Sequence, residues 1–209
     1  AEGRTLLADL QEVDARIARA TAPIASDALP VILLSAGSWT TLHLTAHLGT
    51  LRGEPPDLRL RFVSAETVLD ISHRTVTIGI RNARPDTPGL AGRRTGDVHF
   101  APYAVKDAPD LWILPRAQTP SAQWLAKHAG GDIAAEVTAP RNALDLALQG
   151  VGKALLPTFI GDAEPRLTRL SPPIPELTQG QWVVSHDDDR HLPEVRRALD
   201  RLYAVFGAG

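Results

Sequence analysis

Pro30-Val-Ile-Leu-Leu-Ser35, followed by Gly37-Ser-Trp-Thr40 and an apolar-periodic segment over 41–51, decides how this chain is read. An unbroken run of Val, Ile and Leu bounded by a turn predicts a strand buried on both faces. Such strands belong to parallel sheets covered by helices. The same alternation continues outward from it. Asp57-Leu-Arg-Leu-Arg-Phe-Val63 alternates with period two and predicts a strand with one wetter face. Arg74-Thr-Val-Thr-Ile-Gly-Ile80 predicts another, with a Pro-rich exit over 81–89 where a change of module is expected. Later strands are expected at 98–103, 111–114, 133–138, 154–156 and 182–184, and helices at 121–128, 141–149 and 192–206. The last helix presents Val195, Leu199, Leu202 and Val205 on one side. The fold class is α/β.

Composition narrows the function classes. The 209 residues are 44% hydrophobic and 22% charged, enough to bury a proper core, and contain no cysteine, so disulfides, thiolate nucleophiles and Cys-ligated metals are excluded. Lys and Arg number 22 against 24 Asp and Glu, for a formal charge of -2, a poor footprint for binding DNA. No apolar run reaches a membrane span and the start lacks a signal-peptide layout, so a cytoplasmic protein with no membrane partner is expected. The chain contains no methionine, which is expected of a longer protein cut on its N-terminal side. Near that end Leu6, Leu7, Leu10, Val13, Ile17 and Ala20 recur at three- and four-residue steps. They predict an amphipathic helix ending near Pro23, either packed on its own domain or forming a two-helix seam, and the cut end favours the seam.

Catalytic signatures mostly fail. There is no G-x-S-x-G or H-E-x-x-H, and Gly152-Lys153 is followed by Ala154 where a phosphate loop needs Ser or Thr. Gly150-Val-Gly152 reads as a tight helix-to-strand turn. His186-Asp-Asp-Asp-Arg190-His191 reads as a solvated loop capping the last helix, because consecutive residues rarely aim at one metal. No metal or cofactor is expected. An enzyme, for instance a metal-assisted hydrolase using His186, Asp187 and His191, is the rival reading these residues allow.

Polar residues at strand-to-helix junctions are more informative, because ligands of α/β sheets bind there. Ser35, Ser38, Thr40 and Thr41 surround the exit of the first strand, where the N–H groups of a helix start favour an anion. Simple N-capping is the alternative, and the two are compatible. Trp39 is either an aromatic wall or a core plug. Thr119-Pro-Ser121 and Ala139-Pro-Arg141-Asn142 start two further helices in the same style. Arg81 and Arg141 are the arginines least explained by solubility. Each contacts an anionic ligand or an internal carboxylate such as Glu66 or Asp86.

Four segments, in order, resemble one family. Arg74-Thr-Val-Thr-Ile-Gly-Ile-Arg81 with Pro88-Gly-Leu-Ala-Gly-Arg-Arg94-Thr-Gly96, then Asn142 through Gly150-Val-Gly-Lys-Ala-Leu-Leu-Pro157, then His186-Asp-Asp-Asp-Arg190 and Pro193-Glu-Val-Arg196, are similar to stretches of LysR-type transcriptional regulators. Thr77 stands where many members carry an acidic residue, and the 64–75 connection is short. The resemblance implies an effector-binding domain with a two-lobed fold like type 2 periplasmic binding proteins, not an enzyme. It implies 1–22 as the tail of a linker helix, 24–84 plus 185–209 as lobe one, and 85–184 as lobe two. A small effector would enter between the lobes and meet Ser35, Ser38, Trp39, Thr40, Ser64, Glu66, Arg81, Ser121, Arg141 and Asn142. Copies would pair through 41–51, 58–63 and 121–128, and DNA would be reached only through an N-terminal domain missing from this chain. A secreted solute-binding protein of a transport system shares the fold and is the alternative; it would carry an export signal upstream.

Overall fold

A computed structural model describes residues 29–64, 71 and 77–207. The expected helix at 6–20 and Glu66 lie outside the described residues, and of Ser64 only the backbone is described. In chain order the elements are β1 (Val31–Ala36), α1 (Ser38–Ala46), α2 (Leu48–Arg52), β2 (Arg59–Ser64), β3 (Ile78–Arg81), β4 (Leu90–Val98), β5 (Phe100–Ala104), β6 (Trp112–Pro115), α3 (Pro120–His128), β7 (Ile133–Val137), α4 (Pro140–Leu148), β8 (Ala154–Pro157), α5 (Thr158–Gly161), β9 (Thr168–Arg169), β10 (Gln179–His186) and α6 (Pro193–Gly207). Short 3-10 turns at Pro175–Leu177 and Asp189–His191 flank β10.

The first sheet has five strands in the order β2-β1-β3-β10-β4. β1 runs parallel to both neighbours, and β10 runs antiparallel to β3 and β4. The Val-Ile-Leu run is thus central: Ile32 and Leu34 pack against Leu44, Leu51, Val195, Leu199 and Leu202. Full burial of each such side chain contributes about 2 kcal/mol. The second half holds a three-stranded sheet, β8-β5-β9, and the parallel pair β6-β7. Ala101, Tyr103, Ile113, Leu144, Ala147 and Leu156 form its core. A Cβ on Gly161 would run into the Tyr103 ring, so the chain passes this ring only as glycine. The Tyr103 hydroxyl donates to Asp162 at 2.7 Å; burial, then the carboxylate it faces, push its pKa up to about 12.

The two halves are joined where β4 hands over to β5 at His99 and where the chain returns into β10. The two passages touch, His99 Nδ1 lying 3.2 Å from Thr178 Oγ1. Several elements differ from expectation. The helix expected over 41–51 starts at Ser38 and breaks at His47. The strand expected over 98–103 is two strands meeting at His99, the first of them beginning at Leu90. Because β4 pairs with β10 from Leu90 opposite His186 to Val98 opposite Gln179, these segments belong to the first sheet. The pairing therefore differs from a lobe boundary at residue 85. The β4 sequence Leu-Ala-Gly-Arg-Arg-Thr-Gly-Asp-Val has an exposed polar middle and two glycines, which hides a strand from periodicity. At 186–191 Arg190 is paired with Asp187, and among the described residues no three His or carboxylate groups gather to hold a metal. Nor is any described helix long and apolar enough to cross a membrane.

Candidate functional site

A cleft of about 240 Å³ opens between the halves, beside the two passages. Its first wall is the start of α1, with Gly37, Ser38, Trp39 and Thr40, and the end of β3, with Ile80, Arg81 and Asn82. Its second wall is Gln118, Thr119, Pro120 and Ser121 at the start of α3, with Pro157 and Phe159. Val98, Phe100 and Gln179, at the passages, close the base.

Local chemistry sets each wall. Gly37 is the N-cap of α1 and supplies no side-chain cap, and it lines the cleft together with the first residues of that helix. At α3 Thr119 does cap: its Oγ1 accepts from Ala122 N at 3.4 Å, and Pro120 begins the helix. Thr119 and Ser121 hydroxyls lie 3.4 Å apart. Neither helix has an acidic residue in its first turn, so both dipole ends keep their attraction for negative charge.

Arg81 crosses beneath α1. Its Nη1 donates to Ser35 O and to Ile80 O, each at 3.0 Å, and its Nη2 donates to Ser35 Oγ at 3.3 Å. Burial lowers the guanidinium pKa below its ordinary value, though an arginine stays charged in proteins. Thr40 is buried, and its Oγ1 accepts from Gln181 Nε2 at 3.4 Å. Asn82 Nδ2 donates to Gln179 Oε1 at 2.8 Å and ties the end of β3 to the start of β10.

Of the residues expected at a ligand site, Ser38, Trp39, Thr40, Arg81 and Ser121 line this cleft. Ser35 lies behind it, buried and bonded to Arg81. Arg141 and Asn142 are elsewhere. Arg141 lines a separate depression outside the cleft and pairs with Asp145 one helical turn on, at 3.3 Å, and Asn142 is exposed. The residues buried from α4 are Pro140, Ala143, Leu144 and Ala147, so Arg141 and Asp145 fall on its outward side. Asn82, Phe100, Gln118, Thr119, Phe159 and Gln179 line the cleft without having been singled out as ligand contacts. For Thr119 the Thr-Pro-Ser start was the available signal; isolated amides on loops carry none.

Arg81, at a strand end beneath one helix start and across from a second, is thus the one charged group among the described residues that line the cleft. The profile of the LysR substrate binding domain matches residues 33–207. The chain belongs to that family. Known folds agree with the assignment to the LysR substrate-binding domain. The regulatory domain of CrgA, a LysR-type transcriptional regulator from Neisseria meningitidis, superposes with a TM-score of 0.68 at 23% identity, covering 86% of this chain and 100% of that one. Full CrgA from the same organism gives 0.63 at 19% identity, covering 97% of this chain and 75% of that one. The reduced OxyR regulatory domain from Pseudomonas aeruginosa gives 0.65 at 12% identity, covering 87% and 98%. No curated protein sequence matches the chain at a significant level. This LysR substrate-binding domain is thus a two-lobed effector-binding domain of a LysR-type transcriptional regulator, and a transport-system solute-binding protein is not favoured.

Proposed function

We propose that the domain senses a small monoanionic molecule with an apolar body, held in the cleft between the two halves, and signals by closing on it. One observation carries this reading: among the described residues lining the cleft, Arg81 is the only charged side chain, and Trp39, Phe100 and Phe159 supply apolar faces. A single cation flanked by two helix starts favours one negative charge, and a second carboxylate would lack a partner. Ser38, Thr40, Thr119 and Ser121 offer hydroxyls to orient the guest. Ser64 and Glu66, on the connection after β2, remain candidate contacts. The outcome is binding, not turnover, and no cofactor or metal takes part.

Closure follows from differential affinity. A guest touching both α1 and α3 favours the closed state by the difference of its binding energies in the two states, and about 2–3 kcal/mol is enough to redistribute them. In this reading the lobes are 24–84 plus 185–209 and 85–184, adjusted so that β4 and β10 count with the first sheet. The movement passes to a second copy through the faces at α1–α2, β2 and α3, and from there to DNA through a separate N-terminal domain, in the cytoplasm.

The test is a thermal-shift comparison of benzoate with the uncharged benzamide. Benzoate at a hundred times its dissociation constant adds about 2.7 kcal/mol to stability, and Arg81→Ala removes that gain. If benzamide stabilises as strongly, and Arg81→Ala leaves both unchanged, the reading fails.

A further inference from the structure

Three side-chain amides reach the cleft beyond the groups that a charge and an apolar body would engage. Asn82, at the end of β3, and Gln179, at the start of β10, line one wall and the base, and Gln118, just before α3, lines the wall across from them. Asn82 Nδ2 donates to Gln179 Oε1 at 2.8 Å, and neither side chain makes another hydrogen bond among the described residues. Asn82 Oδ1 therefore keeps an acceptor and Gln179 Nε2 a donor, on two groups fixed to each other. Gln118 is half spent in the same way: its Oε1 accepts from Gln123 Nε2 at 3.3 Å, and its own Nε2 is left to donate.

Solvent satisfies these atoms while they face it. Closure of the halves on a guest removes that water, and each amide atom then costs free energy unless the guest answers it. This inventory selects the guest. A methyl group or ring edge answers none of them. A second carboxylate only accepts, so it sets an acceptor against Asn82 Oδ1, and the described lining residues hold no second cation for it. An ammonium only donates, and no carboxylate is present among those lining residues. An amide carries a carbonyl acceptor and an N–H donor side by side, the complement of Gln179 Nε2 and Asn82 Oδ1, and its carbonyl has a second lone pair for Gln118 on the opposite wall.

We propose that the effector carries, besides its single negative charge, one amide group, read by Asn82 and Gln179 on one side and by Gln118 on the other. This deepens the reading of the cleft as the effector site and rests on it. Asn82 and Gln118 belong to different halves, so only the closed state satisfies the amide from both walls. The group thereby adds to the difference in affinity that drives closure.

The test sets each amide against the ketone of the same shape, in which a methyl replaces the NH2. The pairs are 4-carbamoylbenzoate with 4-acetylbenzoate, and the uncharged benzamide with acetophenone, titrated calorimetrically into the protein. Each amide is expected to bind at least about tenfold tighter than its ketone, equivalent to about 1.4 kcal/mol. Asn82→Leu and Gln179→Met remove the polar atoms at similar size and bring that ratio to within about twofold. A loosened fold does not produce this change, because it weakens both members of a pair alike. Equal affinity within the pairs, no saturable binding by either amide, or a ratio unchanged in both variants overturns the proposal. If one variant does not fold the other decides, and if neither folds the ratios in the parent protein decide. The two readings fail separately. Benzamide preferred over acetophenone with no binding of benzoate removes the charge and keeps the amide, whereas benzoate bound through Arg81 with no preference for amides does the reverse.

Discussion

The end of β3 and the start of α4 each carry an arginine that sequence alone cannot rank, and the structure gives them opposite surroundings. Arg81 leaves a strand whose other residues are buried, so its guanidinium runs under α1 and binds Ser35 and Ile80 carbonyls. Arg141 begins a helix whose buried residues fall on the opposite face, so it turns outward to Asp145, with 43% of its side chain exposed. A strand exit at the centre of a sheet delivers a side chain to a crevice. A helix start does so only when the helix phase agrees.

That contrast is most easily broken at Arg81. Arg81→Ala is expected to abolish stabilisation by benzoate and to cost about 2–3 kcal/mol of intrinsic stability, since buried carbonyls lose charged donors. Arg81→Lys keeps the charge but not the fork and recovers only part of both, as read by denaturant melts with and without ligand. Next in size is Thr119→Ala, which removes the α3 cap and costs about 1 kcal/mol, seen as a lower urea midpoint, together with weaker benzoate binding.

The helix between the two arginines gives a pH test. His43 has its pKa lowered by burial and by His47, so its neutral form is favoured in the folded state. This contribution is fully present above the unfolded value of about 6.5 and is lost as pH falls from there through the lower folded pKa. Melting temperature should therefore drop on acidification below pH 6.5, and His43→Phe should flatten that part of the profile; an unchanged profile contradicts the assignment. The smallest effect belongs to Arg141→Ala. An exposed pair one turn apart is worth at most about 0.5 kcal/mol, so melting and benzoate binding should both stay near the parent. A clear loss of binding there would erase the distinction drawn between the two arginines.

Much of the frame is legible before any coordinates. β1 announces itself because a central parallel strand is apolar on both faces, and the turn after it places Ser38, Trp39 and Thr40 at the cleft for the same reason. β4 is not legible: Arg93 and Arg94 are exposed, Gly92 and Gly96 break the alternation, and only pairing with β10 makes it a strand. Arg141 was readable in principle, since Asp145 stands four residues on and Ala143, Leu144 and Ala147 mark the inward face. Asn82, Gln118 and Gln179 are long-range coincidences. Asn82 and Gln179 are 97 residues apart and meet only once the sheet is formed, so no local pattern encodes them.

α1 is attached through β1 to the first sheet, yet Trp39 and Leu42 pack against the core of the other half. A swing that parted the halves would have to peel these two side chains from their seat and wet them, unless α1 travelled with its neighbour and bent the turn at Gly37. Either way opening carries a cost at this contact, whether or not a guest is present. Leu42→Ala would lower that cost while leaving the residues that line the cleft in place.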